Sequence, residues 1–377
     1  MAAIHFLSKF DIQIELLGTL LSHIKKMLFG PPEVKPLEGL HGQEKAETIF
    51  NNLIAEDKVP GLAVTILNKG QVVLQKGYGF ADLDRKIEAD AQRTVFRIAS
   101  ISKCITGLAL GKMVEDGMID LDESFYTYVP YYPQKKYDFT LRQLASHTAG
   151  IRGYRGKEFA LNQDLSIKDG IKVFKDDPLF FKPGNGYLYN SFDFVLLSLA
   201  MQEASGVSFP QYVNDNILTA LGLKNTCSPK DMGKVSCTLE SNTQFYTRRS
   251  GNFLKAVEVN NAYKLAGGGY LSTCEDIAIL GQAILERKLL KNETYEELLA
   301  SQIIEGEPTY YGLGFQVSRD FHGRKFIGHI GSSVGAYTNL FIYPEQEIVI
   351  VILINCTDPK IQTELDLAIT SIFEAVT

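Results

Sequence analysis

The sequence predicts an α/β protein of the α+β kind: one antiparallel sheet of about five strands flanked by N- and C-terminal helices, with a helical subdomain inserted between its strands. Three observations carry this. Strand-like runs come from both ends of the chain, the long middle has helical periodicity broken by loops rich in Gly, Pro, Asp and Tyr, and an amphipathic helix pattern lies at each end of the strand set. With 377 residues, 45% of them apolar and 22% charged, there is chain enough for two ordinary domains or one large unit with an insertion.

Taken in order, Met1 to Gly30 holds apolar clusters interrupted by Lys9, Asp11, Glu15, Lys25 and Lys26. No stretch reaches the roughly 18 apolar residues of a membrane span, and no basic start leads into a clean apolar core as in a secretory signal. The expectation is an amphipathic segment docked on the body, with peripheral contact to a membrane surface or a partner as the alternative. Pro31, Pro32 and Pro36 mark a linker. Residues 1–40 therefore read as an extension and 41–377 as one domain, its sheet part about 41–95 and 262–377, its helical part about 96–261.

Gln43 to Ala55 places Ala46, Ile49, Phe50 and Leu53 on one helix face. A hairpin follows, from the run Leu62 to Leu67 through Asn68-Lys69-Gly70 to Val72 to Tyr78. Helical patterns fill Ser100 to Ala204. After Ala266 a helix leads to strand patterns at Tyr311 to Val317, Lys325 to His329, Tyr337 to Tyr343 and Ile348 to Ile354. Lys360 to Val376 closes the chain as a helix burying Ile361, Leu365, Ala368, Ile369, Ile372 and Phe373. The simplest packing covers the sheet with the two terminal helices and sets the helical part against one sheet edge.

A formal charge of −6 and a pI near 5.6 exclude an electrostatic nucleic-acid binder, which needs clustered Lys and Arg. Cys104, Cys227, Cys237, Cys274 and Cys356 are scattered, odd in number and without a C-x-x-C pair, so neither a disulfide framework nor a zinc knuckle is expected. The six histidines form no H-E-x-x-H, and no metal or cofactor is expected.

Chemistry enters with Ser100-Ile101-Ser102-Lys103. On a helix, positions i and i+3 share a face, so Lys103 can take the proton of the Ser100 hydroxyl. The spacing alone is common, and Ser22 to Lys25 repeats it. Only Ser100, however, follows a strand-like Val95 to Ile98 and opens an apolar helix, where free N–H groups and the dipole favour an oxyanion. The alternative is a capping serine beside a solvated lysine. Two further strings matter: Pro183 to Ser191, a turn containing Tyr187 and Tyr189 that enters the helix Phe194 to Ala204, and His329-Ile330-Gly331-Ser332-Ser333 at a strand end.

Together, the three strings resemble the serine β-lactamase/penicillin-binding family, with its S-x-x-K, Y-x-N and K-T-G elements. The resemblance covers about residues 42 to 376. Leu144 to Gly150 (L-A-S-H-T-A-G), Pro183-Gly184, Ala266 to Asp276 and Tyr311 to Phe315 place it in the class C β-lactamase-like branch, nearest the animal mitochondrial serine β-lactamase-like proteins. It implies a β-lactamase/transpeptidase-like fold and a serine hydrolase working without cofactor on a peptide or ester. Ser100 would be the nucleophile, Lys103 the base and Tyr189 the proton relay to the leaving group. The backbone N–H groups of Ser100 and Ser332, beside Gly331, would hold the oxyanion.

Two departures stand out. Ser191 replaces the family's Asn and His329 the Lys of K-T-G, both weakening recognition of a penicillin-like carboxylate and amide. A peptidase-like amide hydrolase is expected, with a carboxylesterase or an idle binding scaffold as alternatives. The resemblance further implies a link to lipid metabolism and a mitochondrial location, and the sequence leaves a homo-oligomer open. An N-terminus lacking Arg and carrying acids keeps the cytoplasm open.

Overall fold

A computed structural model describes residues 33–232 and 243–376. The expected N-terminal amphipathic segment, the Ser22 to Lys25 string and Cys237 lie outside the described residues. Helix α1 (Gly42–Ala55) buries Ala46, Ile49, Phe50 and Leu53 as its spacing requires. The hairpin joins β1 (Gly61–Asn68) to β2 (Gln71–Asp82) through Lys69 and Gly70. Both turn residues have positive φ (51° and 74°), the backbone of a two-residue turn whose twist suits antiparallel strands.

The remaining strands of the main sheet are β3 (Ile87–Glu88), β4 (Gln316–Arg319), β5 (Lys325–Ser333), β6 (Ala336–Tyr343) and β7 (Ile348–Ile354). Their order is β4-β5-β6-β7-β1-β2-β3, antiparallel throughout. There are thus seven strands where about five were expected. The two outermost are two and four residues long, too short for a period-2 signal. β4 also starts later than the run Tyr311 to Val317 suggests, because Tyr311 makes only an isolated bridge and is buried.

β7 is buried along its whole length. Ile350, Ile352 and Ile354 join Leu62, Val64 and Ile66 under α1 and helix α5 (Gln362–Val376). Val349, Val351 and Leu353 face the opposite way, into a cluster that contains helix α4 (Cys274–Leu285) and the rest of the helical part. A continuous apolar strand demands cover on both faces. The helical part accordingly packs on a face of the sheet and not against one edge. Gly281 permits the close approach of α4, since a Cβ there would stand 2.6 Å from Val349 Cγ1.

Helices α2 (Ser102–Glu115) and α3 (Phe192–Ser205) are buried along most of their length and lie inside this second cluster. A three-stranded sheet of Tyr246–Arg249, Asn252–Lys255 and Cys356–Thr357 was not foreseen; its strands are two to four residues long, too short for a periodic signal. Among the described residues, no helix is long and apolar enough to cross a membrane.

Ahead of α1 the chain is tied by Lys35 N–H donating to Asn52 Oδ1 at 2.9 Å and Asn52 Nδ2 donating to the Lys35 carbonyl at 2.8 Å, both exposed. Such bonds contribute about 1 kcal/mol each at most. Deleting residues 1–38 should therefore lower the stability from denaturant titration by about 1–2 kcal/mol and leave one cooperative transition. Loss of that transition would show that the extension belongs to the core.

Candidate active site

The turn carrying Ser100 is fixed from both sides. Phe96–Arg97 pairs with Leu271–Ser272, and Ile98 N–H donates to the Tyr270 carbonyl at 3.1 Å. The chain then turns at Ala99, buried with φ +45°, a conformation costing a residue with a Cβ about 1 kcal/mol or more. Ser100 lies in the 3₁₀ turn Ala99–Ile101, two residues ahead of the first residue of α2.

β5 closes on this turn at Gly331. A Cβ at that position would stand 2.4 Å from Thr338 Oγ1 and 2.8 Å from Ser100 N, so only glycine fits. The orientation of the next residue follows from strand geometry. Ile330 N–H donates outward to Gln316 Oε1 at 2.9 Å, and alternate residues of a strand direct their N–H groups to the same side. Ser332 N–H therefore points out of the same edge. β4 pairs only with residues 325–328 of β5, so no strand covers that edge beside Ser332.

Lys103 is fully buried. Its Nζ donates to the Gly267 carbonyl at 2.6 Å and to Ser100 Oγ at 3.3 Å, beneath the rings of Tyr189 and Phe194. Burial brings its pKa down to about 7, so much of it is neutral amine at neutral pH. Tyr189 approaches from the other side. Its ring is 39% exposed along the cleft, while its hydroxyl turns inward and donates to Ser100 Oγ at 2.6 Å. Burial pushes its pKa up, so the phenol keeps its proton. Tyr187 makes no such contact; its ring stands edge-on to His147. Ser100 Oγ thus sits between an amine able to accept a proton and a phenol able to give one.

A buried polar group behind this triangle escaped sequence reasoning. His147 Nδ1 lies 2.8 Å from Asp193 Oδ2, which also accepts from Asn190 Nδ2 at 2.6 Å. Both partners are completely buried, which drives His147 down and Asp193 up, each toward its neutral form. The signal was present: an acid at Asp193 inside the run Phe192 to Leu197 needs a buried partner.

His329 stands behind the cleft, 1% exposed. Its Nε2 is 3.0 Å from the Tyr311 hydroxyl and its Nδ1 2.7 Å from the Ile330 carbonyl. Burial first, then the Lys103 charge, lowers its pKa to about 3. The imidazole is neutral at any working pH and offers no cation to a ligand. Ser191 does reach the cleft, where its hydroxyl meets that of Tyr154. The cleft, about 330 Å³, brings together Ser100, Ser191 and Ser332.

The profile of the Beta-lactamase family matches residues 46–372. The mitochondrial serine beta-lactamase-like protein of Homo sapiens is 26% identical over 80% of this chain and 72% of its own length. Protein flp of Staphylococcus aureus (strain MW2) is 26% identical over 87% of this chain and 67% of its own. The octameric penicillin-binding protein homologue from Pyrococcus abyssi superposes with a TM-score of 0.75 at 26% identity, over 87% of this chain and 77% of that one. The D-amino acid amidase from Ochrobactrum anthropi SV3 gives 0.75 at 19% identity, over 88% and 98%, a likeness of fold alone. By its sequence over nearly all the described residues, and by a sheet and helical layer that meet at Ser100, the chain belongs to the beta-lactamase family.

Proposed function

We propose that the protein is a serine hydrolase that cleaves an amide or ester through an acyl-enzyme on Ser100. The observation that carries this is the contact set at Ser100 Oγ, with Lys103 Nζ at 3.3 Å and the Tyr189 hydroxyl at 2.6 Å. Neutral Lys103 takes the Ser100 proton as Oγ attacks the carbonyl carbon. The negative charge that develops on the carbonyl oxygen is met by the N–H groups of Ser100 and Ser332. Tyr189 gives its phenolic proton to the departing amine or alkoxide and takes in return the proton that Lys103 carries, and water then releases the acid by the reverse path.

A peptidase-like amide hydrolase is the reading we take first and a carboxylesterase the alternative, and matched amide and ester substrates decide between them. A penicillin is not the expected natural substrate, because Ser191 and the buried, neutral His329 supply neither the amide nor the cation that would hold one. The name of the human relative supports a mitochondrial location, and the octamer of the Pyrococcus homologue supports a homo-oligomer. The test is incubation with a fluorophosphonate, intact-mass measurement and peptide mapping, followed by matched amide and ester substrates. One adduct on the peptide containing Ser100 is expected, with turnover of the amide. An unmodified protein would leave the idle scaffold as the better reading.

A further inference from the structure

One buried cation at the cleft has no task in this chemistry. Lys264 is 5% exposed, yet among the described residues its Nζ makes a single hydrogen bond, to the Phe159 carbonyl at 2.7 Å. An ammonium has three N–H donors. No carboxylate among the described residues pairs with this one, and the Tyr154 ring 5.0 Å away is its nearest other partner. Arg97, whose charge bears on Lys264, also pairs with no acid among the described residues: its guanidinium donates to the Val334 carbonyl at 2.7 Å and lies over the Phe245 ring at 4.1 Å.

Lys264 lines the same cleft as Ser100, together with Asn261, whose buried Oδ1 has no partner among the described residues. Asp358, the one carboxylate among the lining residues, is engaged by Lys360. Burying an ammonium without a counter-charge is costly and brings the Lys264 pKa down to about 8, Arg97 adding to the effect of burial. A substrate anion would supply the missing charge.

We propose that the cleft selects substrates whose acyl part carries a carboxylate, bound by the two remaining N–H donors of Lys264 with the charge of Arg97 behind them. This rests on the acyl-enzyme reading of Ser100. The cleft itself sets the reach. Lys264 and Ser100 line one cavity of about 330 Å³, and Lys264 lies three residues before Gly267, whose carbonyl holds Lys103 Nζ. A cavity of that size suits a short acyl chain that ends in a carboxylate.

The test uses the full chain and two 4-nitrophenyl esters, that of glutaric acid with its second carboxyl free and that of the same acid with the second carboxyl methylated. In the wild type kcat/KM should favour the free acid by about tenfold or more, the usual effect of a charge-assisted contact. Lys264→Met should bring the ratio of the two constants near one, and Lys264→Arg should restore most of it. Should Lys264→Met fail to fold, Lys264→Gln serves in its place. A wild type without the preference, or a Lys264→Met ratio equal to the wild type, overturns the proposal while turnover of the neutral ester leaves the hydrolase reading standing. If neither ester acylates Ser100, the hydrolase reading falls and this proposal with it.

Discussion

Ser100→Ala should lose the fluorophosphonate adduct entirely and lower hydrolysis by about 10⁴-fold or more, as removal of a nucleophile does where the rest of the site survives. Neither Ser102 nor Tyr189 is placed to substitute. Ser102, two residues on, is fully buried and its Oγ accepts from Tyr270 N–H at 3.2 Å, away from the cleft. The Tyr189 phenol is held protonated. Ser22→Ala, in the other S-x-x-K string, should leave labelling intact. Because Ser100 is half-buried and its hydroxyl bonds, among the described residues, to Lys103 and Tyr189 alone, the alanine protein should unfold at nearly the wild-type temperature. Equal labelling of Ser100→Ala and wild type would overturn the assignment.

Lys103→Met should slow acylation by about 100-fold or more, the usual loss when a positioned base is removed. The two side chains are similar in length, and methionine suits a pocket walled by the Tyr189 and Phe194 rings. The pH profile separates lost chemistry from disturbed packing. With a Lys103 pKa of about 7, the protonated form prevails below that value and has no lone pair for the Ser100 proton. The wild-type acylation rate should therefore rise with pH through about 7 and then level off. In Lys103→Met that rise should vanish along with the rate, as measured by stopped-flow acylation from pH 5.5 to 9. A variant that kept the same rise would assign it to another group.

The terminal helices, the β1–β2 hairpin and the course of β7 were legible in the sequence because each depends on local periodicity. Gly42–Ala55 and Gln362–Val376 bury the faces their apolar spacing marks, and seven consecutive apolar residues at Ile348–Ile354 require burial on both sides. The Ser100 to Lys103 contact was legible for the same reason, since positions three apart meet on a helix. That Tyr189 and not Tyr187 reaches Ser100 came from the resemblance, and the structure places the hydroxyl in keeping with it.

Only the tertiary structure decided what lies across long sequence separations. His147 meets Asp193 over 46 residues and Lys264 meets the Phe159 carbonyl over 105; neither distance leaves a periodic trace. Nor could the sequence tell that His329, read as a residue facing the ligand, would lie buried against Tyr311. A strand period of two says that a side chain leaves one face or the other, whereas burial depends on what the rest of the chain brings to that face. Charge at the site follows the same logic. Lys103 and Lys264 are ordinary lysines in the sequence, and what lowers their pKa is burial in a folded interior that gives neither a carboxylate in contact.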